Sequence, residues 1–177
     1  MPKEEKSNSS LVNFVFQEAK QNMQFHFENM ESLHKDSMAT ANLLYIVIAA
    51  SLSAAVKLFA GGTHTLLALA LSLMCIYLLV LGLILVSKCL TARNVEPAAN
   101  EPKNLLKAKE NGLSEDQAKE FELQNLQARI DSNRVRNEQT ANDLKFVQRS
   151  IFLSPVVLLA AMFLAWVASA LWRAVFG

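Results

Sequence analysis

Glycine, proline and cysteine are scarce in this chain, with five, four and two copies among 177 residues. Because glycine and proline interrupt helices, their scarcity favours long uninterrupted helices. The two cysteines, Cys75 and Cys89, would lie about 21 Å apart along one helix, so they cannot form a disulfide with each other. The net charge of only +1 gives no overall preference for nucleic acid or for acidic ligands.

Sequence motifs that carry enzymatic or metal chemistry are also missing. There is no glycine-rich phosphate loop, no HExxH or CxxC, and no serine nucleophile elbow. His26 and His34 have no cysteine or carboxylate partner at metal-ligand spacing, which favours a structural or solvated role for both. No carboxylate lies inside a predicted membrane span, which disfavours a proton relay. We therefore expect no enzymatic activity, no cofactor and no metal site.

Long apolar runs are what the chain does contain. Leu66–Ser87 carries no charge and would extend about 33 Å as a helix, enough to cross the hydrocarbon core of a bilayer. Asn42–Ala60 is a weaker candidate span, joined to the next by a turn at Gly61-Gly62. An amphipathic helix lying in the membrane interface is the alternative for this segment. Its polar residues are candidates for lining a pore: Ser51, Ser53 and Lys57.

A third span is predicted at Pro155–Trp172, with Ser154 as its N-cap and Pro155 in the first helical position. Trp166 and Trp172 have the placement of interfacial aromatic residues. One face of this helix carries small side chains and predicts close helix packing. Those small residues are Ala161, Ala165 and Ser169.

The resulting prediction is an all-α integral membrane protein with four segments. They are an N-terminal amphipathic helix (1–41), a two-span hairpin (42–88), a helical insert (89–153) and a C-terminal span (154–177). The stretch from Lys88 to Arg149 holds eleven lysines and arginines, whereas the turn between the first two spans holds none. The positive-inside rule therefore places the N-terminus and the insert in the cytoplasm.

The N-terminal segment is predicted to be disordered to Ser9 and helical from Ser10. Its apolar residues recur with a mean spacing near 3.6, which indicates an amphipathic helix. Phe14 and Phe25 fall off that stripe, so a broad apolar face is expected. We favour packing of this face on the chain's own central helix over binding to a bilayer surface. Candidate residues for packing and gating are Phe16, Met23, Phe27 and Met30.

The insert begins as a linker broken by Pro97 and Pro102, with a short helix expected at Asn104–Asn111. A capping box, Ser114 to Gln117, then starts a long helix with a heptad pattern. The apolar heptad positions form a seam along this helix. The seam predicts coiled-coil packing, either between protomers or with the N-terminal helix. Its middle is polar and forms either a wet cavity in an oligomer or a solvent-exposed gap. The seam residues are Leu123, Leu126, Ile130, Asn133, Asn137, Thr140, Leu144 and Val147.

Mixed charges cover the remaining surface of the long helix, which is typical of a solvated face. Arg134 and Arg136 are the candidates there for binding an anionic ligand such as a nucleotide.

The layout, together with three short segments, resembles small bacterial membrane effectors of anti-phage defence. The segments are Ala41-Asn42-Leu43-Leu44, the stretch from Asn100 to Leu105, and Asn133 to Ile151. The similar proteins are the Pycsar membrane effectors, the SLATT-type two-span proteins and the membrane effector of the Hailong system.

This resemblance implies a homo-oligomer in the bacterial inner membrane that forms or gates an ion-permeable pore. A nucleotide or nucleic-acid signal, or a partner signalling protein, would then trigger membrane depolarisation. Two other functions stay open: a non-conducting scaffold that recruits a soluble partner through its coiled coil, and a holin-like lysis protein. The long insert disfavours the last, because a simple lesion-former has no evident need of it.

Overall fold

The computed structural model describes residues 2–62, 65–91, 97 and 110–176, and these are helical almost throughout. The helices are α1 (Pro2–Ala60), α2 (Thr65–Leu85), α3 (Glu115–Phe152) and α4 (Ser154–Phe176), with a π-helical turn at Val86–Leu90 after α2. No strand occurs within these ranges, which confirms the all-α class. Most of the short helix expected at Asn104–Asn111 lies outside the described residues.

Within the residues that the structure describes, three helices are long and apolar enough to cross a membrane. The candidate spans lie in Ser10–Ala60, Thr65–Leu90 and Ser154–Trp172. They correspond to the three predicted spans and confirm the membrane-protein fold. The first and weakest prediction, Asn42–Ala60, forms the last third of α1.

Helix α1 is a single helix of 59 residues, about 88 Å long. It begins at Pro2, so the prediction of a disordered segment to Ser9 with a helix start at Ser10 was wrong. No glycine or proline occurs between Pro2 and Gly61, and proline is tolerated in a first helical turn. The amphipathic segment and the first span are therefore continuous.

Residues with recognisable capping chemistry set the other helix ends. Gly62 ends α1 with a left-handed φ of 63°, and its N–H donates to the Phe59 carbonyl at 3.2 Å. The predicted capping box of α3 is confirmed. The Ser114 N–H donates to Gln117 Oε1 at 2.9 Å, and the Gln117 N–H donates to Ser114 Oγ at 3.3 Å.

The break between α3 and α4 lies at Leu153. Pro155 has no N–H and its ring obstructs the preceding turn, which stops α3. The Leu153 carbonyl accepts from the N–H groups of Val156 and Val157, at 3.0 and 3.2 Å. Leu153 is therefore the N-cap of α4, one residue before the predicted Ser154.

The chain divides into two compact units, and each is described separately. Unit 1 comprises Met1–Leu33 and Ala92–Gln139, and unit 2 comprises His34–Thr91 and Thr140–Gly177. Two of the three boundaries, after Leu33 and after Gln139, fall inside the continuous helices α1 and α3, so the units do not coincide with the four segments drawn from the sequence. Unit 1 is built on a pair of helices, and unit 2 contains the three spans.

Candidate functional site

In unit 1, α1 and α3 pack through a small apolar core. Met23 of α1 meets Leu126 and Ile130 of α3, and all three side chains are almost fully buried. Ala19 and Phe27 pack against this core from α1. The heptad seam of α3 is therefore covered here by the N-terminal helix of its own chain.

Polar groups continue this contact toward the later residues of unit 1. Asn133 is buried, and its Nδ2 donates to the sulfur of Met23 at 3.5 Å. Asn137 Nδ2 donates to the backbone carbonyl of His26 at 2.9 Å. The polar middle of the seam thus faces α1 at these two positions, in place of solvent. His26 Nδ1 is buried with no hydrogen-bond partner among the described residues.

The large apolar residues of α1 divide between two faces, and all four packing candidates lie on one of them. Met23 is buried, whereas Phe16, Phe27 and Met30 are half-buried on the side of α3. Phe14 and Phe25 are exposed to 62% and 57%. The expected broad apolar face is therefore wrong, because these two phenylalanines belong to a separate, uncovered face of the helix.

The heptad residues of α3 are buried along most of the helix. Leu126, Ile130 and Asn133 are buried in unit 1, where Leu123 and Asn137 are half-buried. In unit 2, Leu144 and Val147 are buried and Thr140 is half-buried. Gln148 Nε2 in the same unit donates to Thr40 Oγ1 of α1 at 3.2 Å.

The two arginines proposed for anion binding do not come together. Residues two apart on a helix point in nearly opposite directions. Arg134 is exposed and pairs with Asp131 at 3.4 Å, one turn earlier. Arg136 is half-buried, and its Nη1 has no hydrogen-bond partner within the described part of the chain. Of the two, only Arg136 retains a buried donor that an anion could satisfy.

An ion pair that the sequence reasoning missed lies on α3. Arg129 Nη2 contacts Glu122 Oε1 at 3.2 Å, with 13% and 10% of the two side chains exposed. Arg129 Nη1 also donates to the Pro97 carbonyl at 3.3 Å. Opposite charges two turns apart on one helix face were the available signal. At the exposed start of α3, by contrast, the hydrogen bond and the charge of Lys119 lower the pKa of Glu115.

Specific contacts join the helices of unit 2. A Cβ placed on Gly82 of α2 would lie 3.2 Å from a terminal methyl of Leu44, so the glycine allows α1 to approach closely. Tyr77 donates its hydroxyl to the Ser150 carbonyl at 2.9 Å. Helix α4 packs on α2, and the small residues Ala161 and Ala165 of α4 are buried.

The three candidate pore-lining residues of the first span do not lie on one face of α1. Ser51 is buried inside unit 2, whereas Ser53 and Lys57 are exposed one turn apart. Ser53 and Lys57 continue an exposed row with spacings of three and four residues, which we call the span-1 stripe. Apart from Ile46, its members are small or polar: Ala39, Asn42, Ile46, Ala50, Ser53 and Lys57.

The remaining outer surface of the spans is strongly apolar. Only 17%, 33% and 11% of the residues in the three most hydrophobic windows are buried. Large exposed side chains cover the rest, among them Leu52, Phe59, Leu83 and Phe163. Lipid suits such a surface, and the span-1 stripe stands out from it because of its small and polar side chains.

Comparison of the chain with protein-family models, curated proteins and solved structures finds no match. Among the described residues, no three histidine, cysteine, aspartate or glutamate side chains come together as metal ligands would.

Proposed function

We propose that this protein is an oligomeric membrane effector that forms or gates an ion-permeable pore and depolarises the bacterial inner membrane on an infection signal. The span-1 stripe carries the proposal. It places Asn42, Ser53 and Lys57 on an exposed face of a span whose other exposed residues are mostly large and apolar.

Lipid is a poor environment for that stripe. Polar and charged side chains within a membrane usually face a protein interior or a water-filled cavity. Lys57 lies three residues before the end of α1, so its amine can reach the interface by extending along the helix. Asn42 begins the predicted span and so lies near its cytoplasmic interface, whereas the short side chain of Ser53 cannot reach either interface. Several copies arranged around an axis would give the whole stripe an aqueous path.

The charge distribution supports a cytoplasmic N-terminus and insert. Lys88 follows the second span directly, and most of the remaining lysines and arginines lie between that span and the third. Such asymmetry is typical of cytoplasmic segments of inner-membrane proteins.

The α1–α3 pair of unit 1 is the proposed gate. Its apolar core is small, and the buried Nδ1 of His26 lowers the stability of the paired state. A signal that binds one arrangement of the pair more tightly than the other would shift the population between them. The proposed signal is a nucleotide, a nucleic acid or a signalling protein that binds the two arrangements with different affinities. Arg136 offers a hydrogen-bond donor for a signal that is anionic.

A non-conducting scaffold is the alternative function. A scaffold would recruit a soluble partner through its coiled coil, but Leu126 and Ile130 of the seam are already covered by α1. Ion conduction separates the two functions, because a scaffold passes no ions in any state.

The test is ion flux through the purified protein in dye-loaded liposomes, with and without residues up to Met38. Flux in either form supports the pore, and flux only after truncation identifies the N-terminal helix as the gate. Full-length Met23→Asp, which breaks the same core while keeping every helix, should reproduce the truncated form. Absence of flux from all three proteins, with helicity and insertion intact, would favour the scaffold.

A further inference from the structure

The last turns of helix α3 run alongside the second membrane span within unit 2. The Cys89 thiol contacts the Thr140 carbonyl at 3.9 Å, and the Tyr77 hydroxyl donates to the Ser150 carbonyl at 2.9 Å. The residues of α3 between these two contacts are therefore level with the part of the second span between Tyr77 and Cys89. That part carries Lys88 near its end and no other charge.

A contact with helix α1 shows which depth of the spans this is. Gln148 Nε2 donates to Thr40 Oγ1 at 3.2 Å, and Thr40 lies just before Asn42, where the predicted first span begins. The end of an apolar span lies where the hydrocarbon core meets the lipid headgroups. The turns of α3 around Gln148 therefore lie at one interface of the bilayer, at the opposite end of the spans from Gly61.

Basic and aromatic side chains cover the exposed side of these turns. Lys145 and Arg149 are exposed one turn apart, whereas Val147 on the other side of the helix is buried. Phe146 and Phe152, each one turn from Arg149, are exposed to 56% and 86%. We call Lys145, Phe146, Arg149 and Phe152 the basic edge of α3.

Carboxylates near the basic edge do not neutralise it. Asp143 is half-buried and points to a different side of α3 from Lys145, and the exposed Glu138 lies about two turns before Lys145. On α1, the exposed Asp36 lies one turn before Thr40, and α2 and α4 carry no carboxylate. Among the described residues, no ion pair joins these three carboxylates to the basic edge. Its two positive charges are therefore available to an external anion.

The headgroup of an anionic phospholipid matches both the charge and the depth of this surface. Guanidinium and ammonium groups bind phosphate oxygens, and basic side chains beside a span attract anionic lipids. Exposed aromatic side chains suit the same layer, where acyl chains and headgroups meet. A free anion would leave Phe152 in contact with water, and a soluble acidic protein would have to enter the headgroup layer to reach it.

We propose that the basic edge of α3 binds the headgroup phosphate of an anionic phospholipid and holds the last turns of α3 at the membrane surface. The inference rests on the membrane-protein fold and is independent of oligomer formation and of ion conduction.

Lipid titration of the full-length protein in detergent, followed by native mass spectrometry, tests this site. Phosphatidylglycerol and phosphatidylcholine with the same acyl chains are the two probes. The first phosphatidylglycerol should bind with a lower Kd than the first phosphatidylcholine. Lys145→Gln with Arg149→Gln should raise the Kd of phosphatidylglycerol about fivefold for each charge removed, at unchanged helicity and with little effect on phosphatidylcholine.

The matched control is Lys119→Gln with Arg134→Gln, which removes the same two charges from the part of α3 in unit 1. An equal rise in Kd from this control would show a general effect of net charge and overturn the inference. Equal affinity of the unsubstituted protein for the two lipids would also overturn it, and so would displacement of phosphatidylglycerol by inorganic phosphate.

A second readout uses the protein in vesicles of phosphatidylcholine with a small fraction of phosphatidylglycerol that carries a photoreactive headgroup. Cross-linking should label the segment from Lys145 to Phe152, and the doubly substituted protein should lose that label. Labelling confined to other segments would place the lipid elsewhere and reject the basic edge as its site.

Discussion

The buried ring of His26 is an energetic cost that unit 1 carries when its helices pair. Its Nδ1 has no hydrogen-bond partner among the described residues, while the backbone carbonyl of the same residue accepts from Asn137. A buried polar atom without a partner costs about 1–3 kcal/mol. In the proposed gate, only the closed pair would carry that cost, because water would satisfy the ring once the helices separate. The imidazole of His26 would therefore favour opening.

His26→Leu should stabilise the pair, because it removes the unsatisfied nitrogen and keeps the backbone hydrogen bond. We expect unit 1 to gain about 1 kcal/mol in unfolding free energy, measured by denaturant titration in detergent, and the liposome flux to fall. His34→Leu is the control, since His34 is exposed. A loss of stability from His26→Leu would show that the ring has a role that its contacts do not explain.

Arg129 and Glu122 form a nearly buried pair whose members depend on each other. Arg129→Ala should destabilise unit 1 by about 3–5 kcal/mol, because it leaves Glu122 buried without the opposite charge of Arg129. Arg129→Met combined with Glu122→Gln should recover most of that loss. Arg134→Ala, which breaks the exposed pair with Asp131, should cost about 0–1 kcal/mol. Thermal unfolding followed by circular dichroism measures all three, and equal losses from Arg129→Ala and Arg134→Ala would contradict the prediction.

At the level of whole helices, local sequence signals identified most of the elements. Uninterrupted apolar runs predicted the spans, and the Ser114–Gln117 capping box predicted the start of α3. These features depend on neighbouring residues alone. The heptad spacing likewise predicted the side of α3 that is buried around Leu126 and Ile130.

Features that depend on tertiary context escaped prediction. The continuity of α1 also escaped prediction although its signal is local: the change from amphipathic to apolar sequence near Asn42 resembles a boundary, but no residue breaks the helix there. The opposite placement of Phe14 and Met23 depends on tertiary context, since periodicity does not show which of two apolar faces finds a partner. The separation of Ser51 from Ser53 and Lys57 likewise follows from which side of α1 is covered in unit 2.

The packing of α2 on α1 depends on one missing side chain. Gly82→Leu should destabilise unit 2 by about 1–3 kcal/mol, because Leu44 is fully buried and lies 3.2 Å from the position of the new Cβ. Thermal unfolding in detergent measures the loss. Adding Leu44→Ala should restore part of the lost stability, because it makes room for the new side chain. The double variant should then lose less unfolding free energy than the losses of the two single variants added together. Leu83→Ala, at an exposed neighbouring position, is the control, and a strictly additive double variant would argue against direct contact.

For the whole molecule, the spans expose far more apolar surface than they bury within one chain. The buried share of the most hydrophobic windows reaches 33% at most. Lipid suits the remaining surface, and in the proposed oligomer neighbouring copies would cover part of it, so the properties of the proposed pore would belong to the assembled protein in a bilayer. The span-1 stripe then becomes a repeated feature, with one Lys57 from each copy near the end of the span. Several like charges around one path would dominate its field.

Lys57→Glu should therefore reverse the preference of the pore between anions and cations. With lysine, the ring of positive charge attracts anions and repels cations, and with glutamate the signs exchange. The reversal potential across a planar bilayer with a salt gradient measures this preference, and we expect it to change sign. Lys57→Gln should fall between the two, and Ser51→Ala, on the buried side of the same helix, should leave the potential unchanged. Conduction with an unaltered reversal potential in Lys57→Glu would place the ion path along another helix. The exposed Lys57 of the span-1 stripe would then be explained by its amine reaching the interface.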